Sequence, residues 1–155
     1  MKKLLAIAMV LCLLIPSATA EISDEEIEYF SIVASAFGLP DLYMKDATVV
    51  EVNTKYYYKF AIWNLDHCKI SIGFDYSEKL KGGTIEGNGD DFLVASAALI
   101  ATLDDSGKYN DYGRFFTTYL VSRVDEEEHV GFLENGVVYS VVKDGDNNTF
   151  RAVMQ

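Results

Sequence analysis

The sequence predicts an α+β fold in which antiparallel β-meanders pack against two or three helices. Three observations predict it: a capped amphipathic helix near the start, three alternating apolar segments after it, and the hairpin dipeptide Asn135-Gly136 near the end. The chain has 155 residues, half of them hydrophobic, which is enough to bury one core without cross-links. The predicted order of helices and strands is compatible with two α-β-β-β halves, although no residue-level repeat is visible.

Residues 1–20 have the composition of a cleavable signal peptide. Lys2 and Lys3 precede an apolar run over 4–15, and Ala18-Thr19-Ala20 supplies the small-x-small pattern of a cleavage site. The run is shorter than the roughly 20 residues that a membrane-spanning helix needs. We therefore expect cleavage after Ala20 and a single secreted or periplasmic domain over 21–155, with no membrane insertion.

The charge of the chain restricts its partners. The net charge is −11, and loss of Lys2 and Lys3 with the leader would make it −13. Such a field repels nucleic acid and anionic lipid headgroups, so neither is an expected partner. The expected partner is a protein, peptide or glycan, and the sequence does not indicate the oligomeric state.

The first helix of the domain is predicted over 24–37. Ser23 provides the N-cap and Glu26, three residues later, completes a capping box. Gly38 and Pro40 end the helix. Its apolar stripe consists of Ile27, Phe30, Val33, Ala34 and Phe37.

Three alternating segments follow and predict a meander with one buried face. The strands are expected at 47–52, 56–63 and 67–74. A loop at 64–66 would place the apolar faces of the second and third strands opposite each other, since it aligns every apolar residue with another. The predicted pairs are Ile62 with Cys68, Phe60 with Ile70, Tyr58 with Ile72 and Tyr56 with Phe74.

The second half of the chain is predicted from its caps and turns. A short strand at 84–86 lies between glycine-containing loops, and Asp90 caps a very apolar, buried helix at 91–103. Asn135-Gly136 joins two strands of a hairpin. The remaining predictions are a segment at 111–123 that is helix or strand, with helix favoured, an acidic loop at 125–128, and strands at 129–134, 137–143 and 149–154.

The outer face of the first meander is the candidate ligand site. The predicted register places Trp63 opposite His67, Ala61 opposite Lys69 and Lys59 opposite Ser71 on that face, with Tyr57 further along it. Aromatic and cationic groups together suit protein, peptide or glycan binding. The alternative is that another part of the chain covers this face and that Trp63 belongs to the core. The candidate residues are Trp63, His67, Tyr57, Lys59 and Lys69.

The sequence offers no set of residues that forms a catalytic or metal site. Neighbours in a strand point to opposite faces, so His67 cannot activate Cys68, which shares the apolar phase of Ile70. The run 144–148 begins like a calcium loop, but Thr149 occupies the position of the required glycine. We therefore expect a small exported non-enzymatic binding protein without a cofactor or metal. The alternative is a cell-envelope hydrolase that uses carboxylates or a pair of Cys68 and His129.

Overall fold

The computed structural model describes residues 24–103, 129–134 and 136–155. The predicted leader, the segment 111–123 and the acidic run 125–128 lie outside these residues. The helices are α1 (Asp24–Ala36), a short 3-10 helix (Met44–Asp46) and α2 (Gly89–Leu103). The strands are β1 (Thr48–Glu51), β2 (Lys59–Asn64), β3 (Cys68–Phe74), β4 (Leu80–Gly87), β5 (His129–Glu134), β6 (Val137–Asp144) and β7 (Asn147–Met154).

The described strands form one seven-stranded antiparallel sheet in the order β1-β2-β3-β4-β7-β6-β5. The predicted α+β class is therefore confirmed. The two predicted meanders, however, are halves of a single sheet, because β4 pairs with β7. β5 and β6 form the hairpin that the sequence predicts, with Glu134 opposite Val137, and Asn135 lies outside the described residues.

Strand β4 is longer than the predicted segment 84–86, because Gly82 and Gly83 belong to the strand and not to a loop. The main chains come so close there that a Cβ on Gly83 would lie 2.7 Å from the carbonyl oxygen of Ser71. Glycine at this position therefore allows the two strands to pair closely. Because glycine usually indicates a loop, the sequence pattern does not predict that 82 and 83 belong to a strand. A register shift between Gly73 and Phe74 accommodates the turn that leads into β4.

Helix α1 buries the stripe that the sequence predicts. Ile27, Phe30 and Ala34 are buried, and the helix ends one residue earlier than expected. Gly38 adopts a φ of +102°, and Leu39 donates a backbone hydrogen bond of 3.0 Å to the carbonyl of Ala34. This closing turn sends the chain back along the helix.

Helix α2 begins two residues before its predicted start and packs against β4 and α1. Ten of its residues are buried, which is why its sequence is apolar nearly all round. Ser96 is accommodated by donating a 2.8 Å hydrogen bond to the carbonyl of Phe92. Within the described ranges, neither this helix nor any other combines the length and apolarity needed to span a bilayer.

The predicted register of the β2–β3 hairpin is wrong by three residues. Trp63 pairs with Ile70 and Lys59 with Phe74, and the connecting turn is closed by a 2.8 Å hydrogen bond from Leu65 N to the carbonyl of Cys68. An odd shift exchanges the two faces of a strand. The buried phase of β3 is confirmed, whereas β2 turns Lys59, Ala61 and Trp63 toward the helices and Phe60 and Ile62 away from them.

Candidate functional site

Trp63 is a core residue and does not lie on an outer face. Its side chain is 3% exposed, and its ring centroid is 6.4 Å from that of Phe30 in α1. Its indole Nε1 donates a 3.0 Å hydrogen bond to the carbonyl of Tyr43. The expectation that Trp63 faces His67 is therefore wrong, and the alternative, a covered tryptophan, describes its position.

The other four candidate residues are dispersed. Lys59 is fully buried beside Glu78, at 2.9 Å, whereas Lys69 lies on the opposite face of the sheet and pairs with Glu86 at 3.2 Å. Tyr57 packs on Phe60, with ring centroids 5.0 Å apart, and its burial raises the pKa of its phenol. His67 is exposed in the β2–β3 turn. The structure does not join these residues in one patch, and ligand binding by any of them stays a prediction.

Cys68 is the thiol of the alternative, enzymatic hypothesis. It is buried, and desolvation, followed by the nearby charge of Asp91, raises its pKa to about 11. A nucleophilic cysteine needs the opposite, a stabilised thiolate. β5 begins at His129, but the side chain of His129 lies outside the described part of the structure. Among the described side chains, no three His, Cys, Asp or Glu residues gather to hold a metal ion.

A groove lies between α1 and the returning segment 41–45. Its volume is about 720 Å³, a size typical of ligand sites. One wall is a stripe of α1 and the other is the short segment that leads into the 3-10 helix. The residues that line it are Ile27, Glu28, Ser31, Ile32, Ser35, Asp41, Leu42, Tyr43, Met44 and Lys45.

Two hydrogen bonds fix the outer wall of the groove. The backbone N–H of Leu42 donates to Ser31 Oγ at 3.1 Å, and the carbonyl of Tyr43 accepts the bond from Trp63 Nε1. Leu42 itself is buried, and Met44 packs against the core. Since its wall is attached both to α1 and to the sheet, the groove is preformed.

The rim of the groove is polar and mostly acidic. Tyr43 Oη donates a 3.0 Å hydrogen bond to Asp41 Oδ2, and this bond, with the charge of Asp41, raises the pKa of Tyr43. Lys45 Nζ lies 5.0 Å from the centroid of the Tyr43 ring. Glu28 faces the same space from α1. The lining therefore holds two carboxylates and one ammonium group.

The groove also exposes apolar surface. Ile32 is 60% exposed and Tyr43 is 52% exposed, so both are available to a ligand. None of the residues that line this groove is among the candidates predicted from the sequence. The available signal was Ile32, an apolar side chain on the polar side of an amphipathic helix, but the second wall depends on where the chain returns after Gly38. That return cannot be derived from helical periodicity.

Comparisons with known proteins assign no relative to this chain: no family model, no curated protein and no solved structure matches it.

Proposed function

We propose that this chain is a small exported, non-enzymatic binding protein whose groove between α1 and segment 41–45 holds a basic, partly apolar segment of another protein. The observation that carries the proposal is the preformed groove itself, in which buried Leu42 and partly buried Met44 lie beneath exposed Ile32 and Tyr43. A concave, apolar site with a few convergent polar groups is the usual form of a ligand site.

Charge complementarity supports a basic ligand. Glu28 and Asp41 outnumber Lys45 in the lining, and the chain as a whole carries a net charge of −11. A ligand with lysine or arginine beside its apolar residues would be attracted over several ångströms, whereas an acidic one would be repelled. The hydroxyl of Tyr43 is already directed to Asp41, which fixes the position of that carboxylate.

The burial and raised pKa of Cys68 weigh against the hydrolase alternative. Export rests on the sequence of residues 1–20. The finer proposal of two α-β-β-β halves has some support, because β1–β4 and β5–β7 are separate meanders that meet only where β4 pairs with β7. The first half, however, contains one strand more than that pattern requires.

The proposal can be tested by the fluorescence of Trp63, the only tryptophan in the chain, whose Nε1 is bonded to the wall of the groove. The probes are two octapeptides built from leucine pairs alternating with lysine pairs or with glutamate pairs. The lysine peptide should change the emission saturably, and its affinity should fall as salt is added, because salt screens exposed charges. The glutamate peptide should bind more weakly.

Matched tyrosine variants locate the binding. Tyr43 and Tyr56 are both exposed, and each has a lysine ammonium about 5 Å above its ring, at 5.0 Å and 4.9 Å. Tyr43→Ala should weaken the lysine peptide about tenfold, a change of about 1.4 kcal/mol, while Tyr56→Ala should leave it unchanged. Equal effects of the two variants, or no saturable response to the lysine peptide, would overturn the proposal.

A further inference from the structure

A cluster of tyrosines lies at the end of the sheet where two turns meet. The first turn, 52–58, connects β1 to β2, and the second, 75–79, connects β3 to β4. Tyr56 is 60% exposed and Tyr76 is 59% exposed. Tyr58 stacks on Tyr76, with ring centroids 5.2 Å apart and planes inclined by 29°. Tyr56 lies three residues after Asn53 in the first turn, and Tyr76 joins the two turns through Asn53. We call Tyr56, Tyr58 and Tyr76, together with Asn53, the tyrosine cluster.

The cluster is held in place by hydrogen bonds. Tyr76 Oη donates to Asn53 Oδ1 at 2.7 Å, which joins the two turns. Within the first turn, Thr54 Oγ1 accepts a 3.0 Å hydrogen bond from the backbone N–H of Tyr57. The same hydroxyl donates a 3.0 Å hydrogen bond to the backbone carbonyl of Tyr57. Within the second, Asp75 Oδ1 accepts the N–H groups of Ser77 at 2.7 Å and Lys79 at 3.1 Å. The two turns and the exposed ring of Tyr76 are therefore held in position before any ligand arrives.

We propose that the tyrosine cluster binds a neutral pyranose sugar by stacking its C–H face on the exposed rings. Aromatic faces carry partial negative charge, which attracts the weakly positive C–H groups of a sugar ring. The amide of Asn53, the phenol hydroxyls and the half-exposed carboxylate of Glu78 supply the donors and acceptors that sugar hydroxyls require.

The charges around the cluster disfavour two other classes of ligand that bind to exposed aromatic rings, namely cations and nucleotides. Lys55 Nζ lies 4.9 Å from the Tyr56 ring and Lys59 Nζ lies 5.8 Å from the Tyr58 ring. A cationic ligand would meet the like charge of Lys55 at the Tyr56 ring, whereas the buried ammonium of Lys59 is already paired with Glu78. A nucleotide would bring phosphate to a chain whose net charge is −11. An uncharged ring with hydroxyl groups satisfies both conditions.

The test is a titration of the purified, ¹⁵N-labelled protein with methyl glycosides of glucose, galactose, mannose and N-acetylglucosamine, and with methyl glucuronide as the anionic control. At least one neutral glycoside should shift the amide signals of 53–58 and 75–78 saturably at millimolar concentrations, while signals from the groove stay in place. Tighter binding of the corresponding disaccharide would support a glycan chain as the source of the sugar, and equal affinity a free sugar.

Variants separate stacking from a structural role. Tyr56→Ala should weaken binding about tenfold, equivalent to about 1.4 kcal/mol, without touching the bond between the two turns. Tyr76→Phe retains the ring and should bind, whereas Tyr76→Ala should not. Tyr43→Ala and Tyr29→Ala, which remove exposed tyrosines elsewhere, should bind normally.

The proposal fails if no neutral glycoside shifts these signals, if the glucuronide binds more tightly, or if Tyr56→Ala binds like the wild type. Because Tyr43 lies in the groove and Tyr56 does not, this outcome is independent of peptide binding.

Discussion

Lys59 Nζ lies 2.9 Å from Glu78 Oε1, and this ion pair connects the interior of the sheet to a turn. Lys59 is fully buried in β2, whereas Glu78 is partly exposed between β3 and β4. Glu78 also has a φ of +62°, the left-handed region that side chains with a Cβ rarely occupy. The ion pair stabilises that turn in a conformation the residue would otherwise disfavour.

This relationship predicts different stabilities for two substitutions of Glu78. Glu78→Ala leaves the buried ammonium without this carboxylate and keeps the backbone strain, so it should destabilise the protein by about 2 kcal/mol. Glu78→Gly loses the same carboxylate but relieves the strain, and should be about 1 kcal/mol more stable than the alanine variant. Urea unfolding of both variants measures the difference. A glycine variant no more stable than the alanine variant would mean that the turn is not strained.

Gly87, at the end of β4, should tolerate substitution much less well than Gly145 in the turn between β6 and β7. Its φ is +149°, and a Cβ there would press on the carbonyl of His67 and lie 2.8 Å from Cys68 Cα. Because these are backbone atoms, no rotamer change relieves the clash, and Gly87→Ala should cost about 3 kcal/mol. Gly145→Ala is the matched control: its φ is +62° but nothing lies within 4 Å of the added carbon. It should cost only about 1 kcal/mol, and equal losses in thermal unfolding would contradict this account.

Cys68 should make stability depend on alkaline pH. Its folded pKa is raised from 9.0 to about 11, so the unfolded chain loses this proton first as the pH rises. The contribution of Cys68 is therefore fully present below about pH 9 and is lost as the pH rises through about 11, by at most about 3 kcal/mol. The difference in unfolding free energy between wild type and Cys68→Ala should change over that interval, because other titrating groups cancel in the comparison. A constant difference would show that the thiol has no raised pKa.

Trp63 should be protected from solvent in the native protein. At 3% exposure its fluorescence should be quenched little by acrylamide until the protein unfolds. Phe30→Ala removes the buried ring beside it, so quenching should increase and stability should fall by about 3 to 5 kcal/mol. Ready quenching of the wild type would instead place Trp63 at an open surface, as the sequence-based candidate site requires.

The sequence predicts those elements whose signals are local. Helix α1 starts at Asp24, the residue after the predicted N-cap, and β5 and β6 form a hairpin between the expected strands. The predicted cap of α2 is wrong by position, because the helix begins at Gly89 and Asp90 lies in its first turn. In each case neighbouring residues determine the backbone conformation. The class of fold follows from these elements together.

The register of β2 is different, because both of its faces carry apolar side chains. Phe60 and Ile62 alternate with Ala61 and Trp63, so hydrophobic periodicity does not distinguish the two registers. Lys59 also misleads, because a lysine predicts the solvent-facing side of β2. A lysine is buried only where it has a partner, and the partner Glu78 is distant in the sequence. The groove depends in the same way on a contact between α1 and the later segment 41–45, and the tyrosine cluster on a contact between two turns.

The pairing of β4 with β7 has a consequence for the order of folding. Each half of the sheet is built from strands that are close along the chain. The two halves join only when β4 pairs with β7, which places Gly82 opposite Val153. Closing so long a loop costs chain entropy that is recovered only when the whole strand pair forms. During synthesis, the residues of α1 to α2 also leave the ribosome before those of β7. Until β7 arrives, β4 is an open edge, and the glycines at 82 and 83 leave that edge with few side chains to shield its hydrogen-bonding groups. Pairing with β7 therefore covers an edge of β4 that would otherwise be open to pairing with another chain.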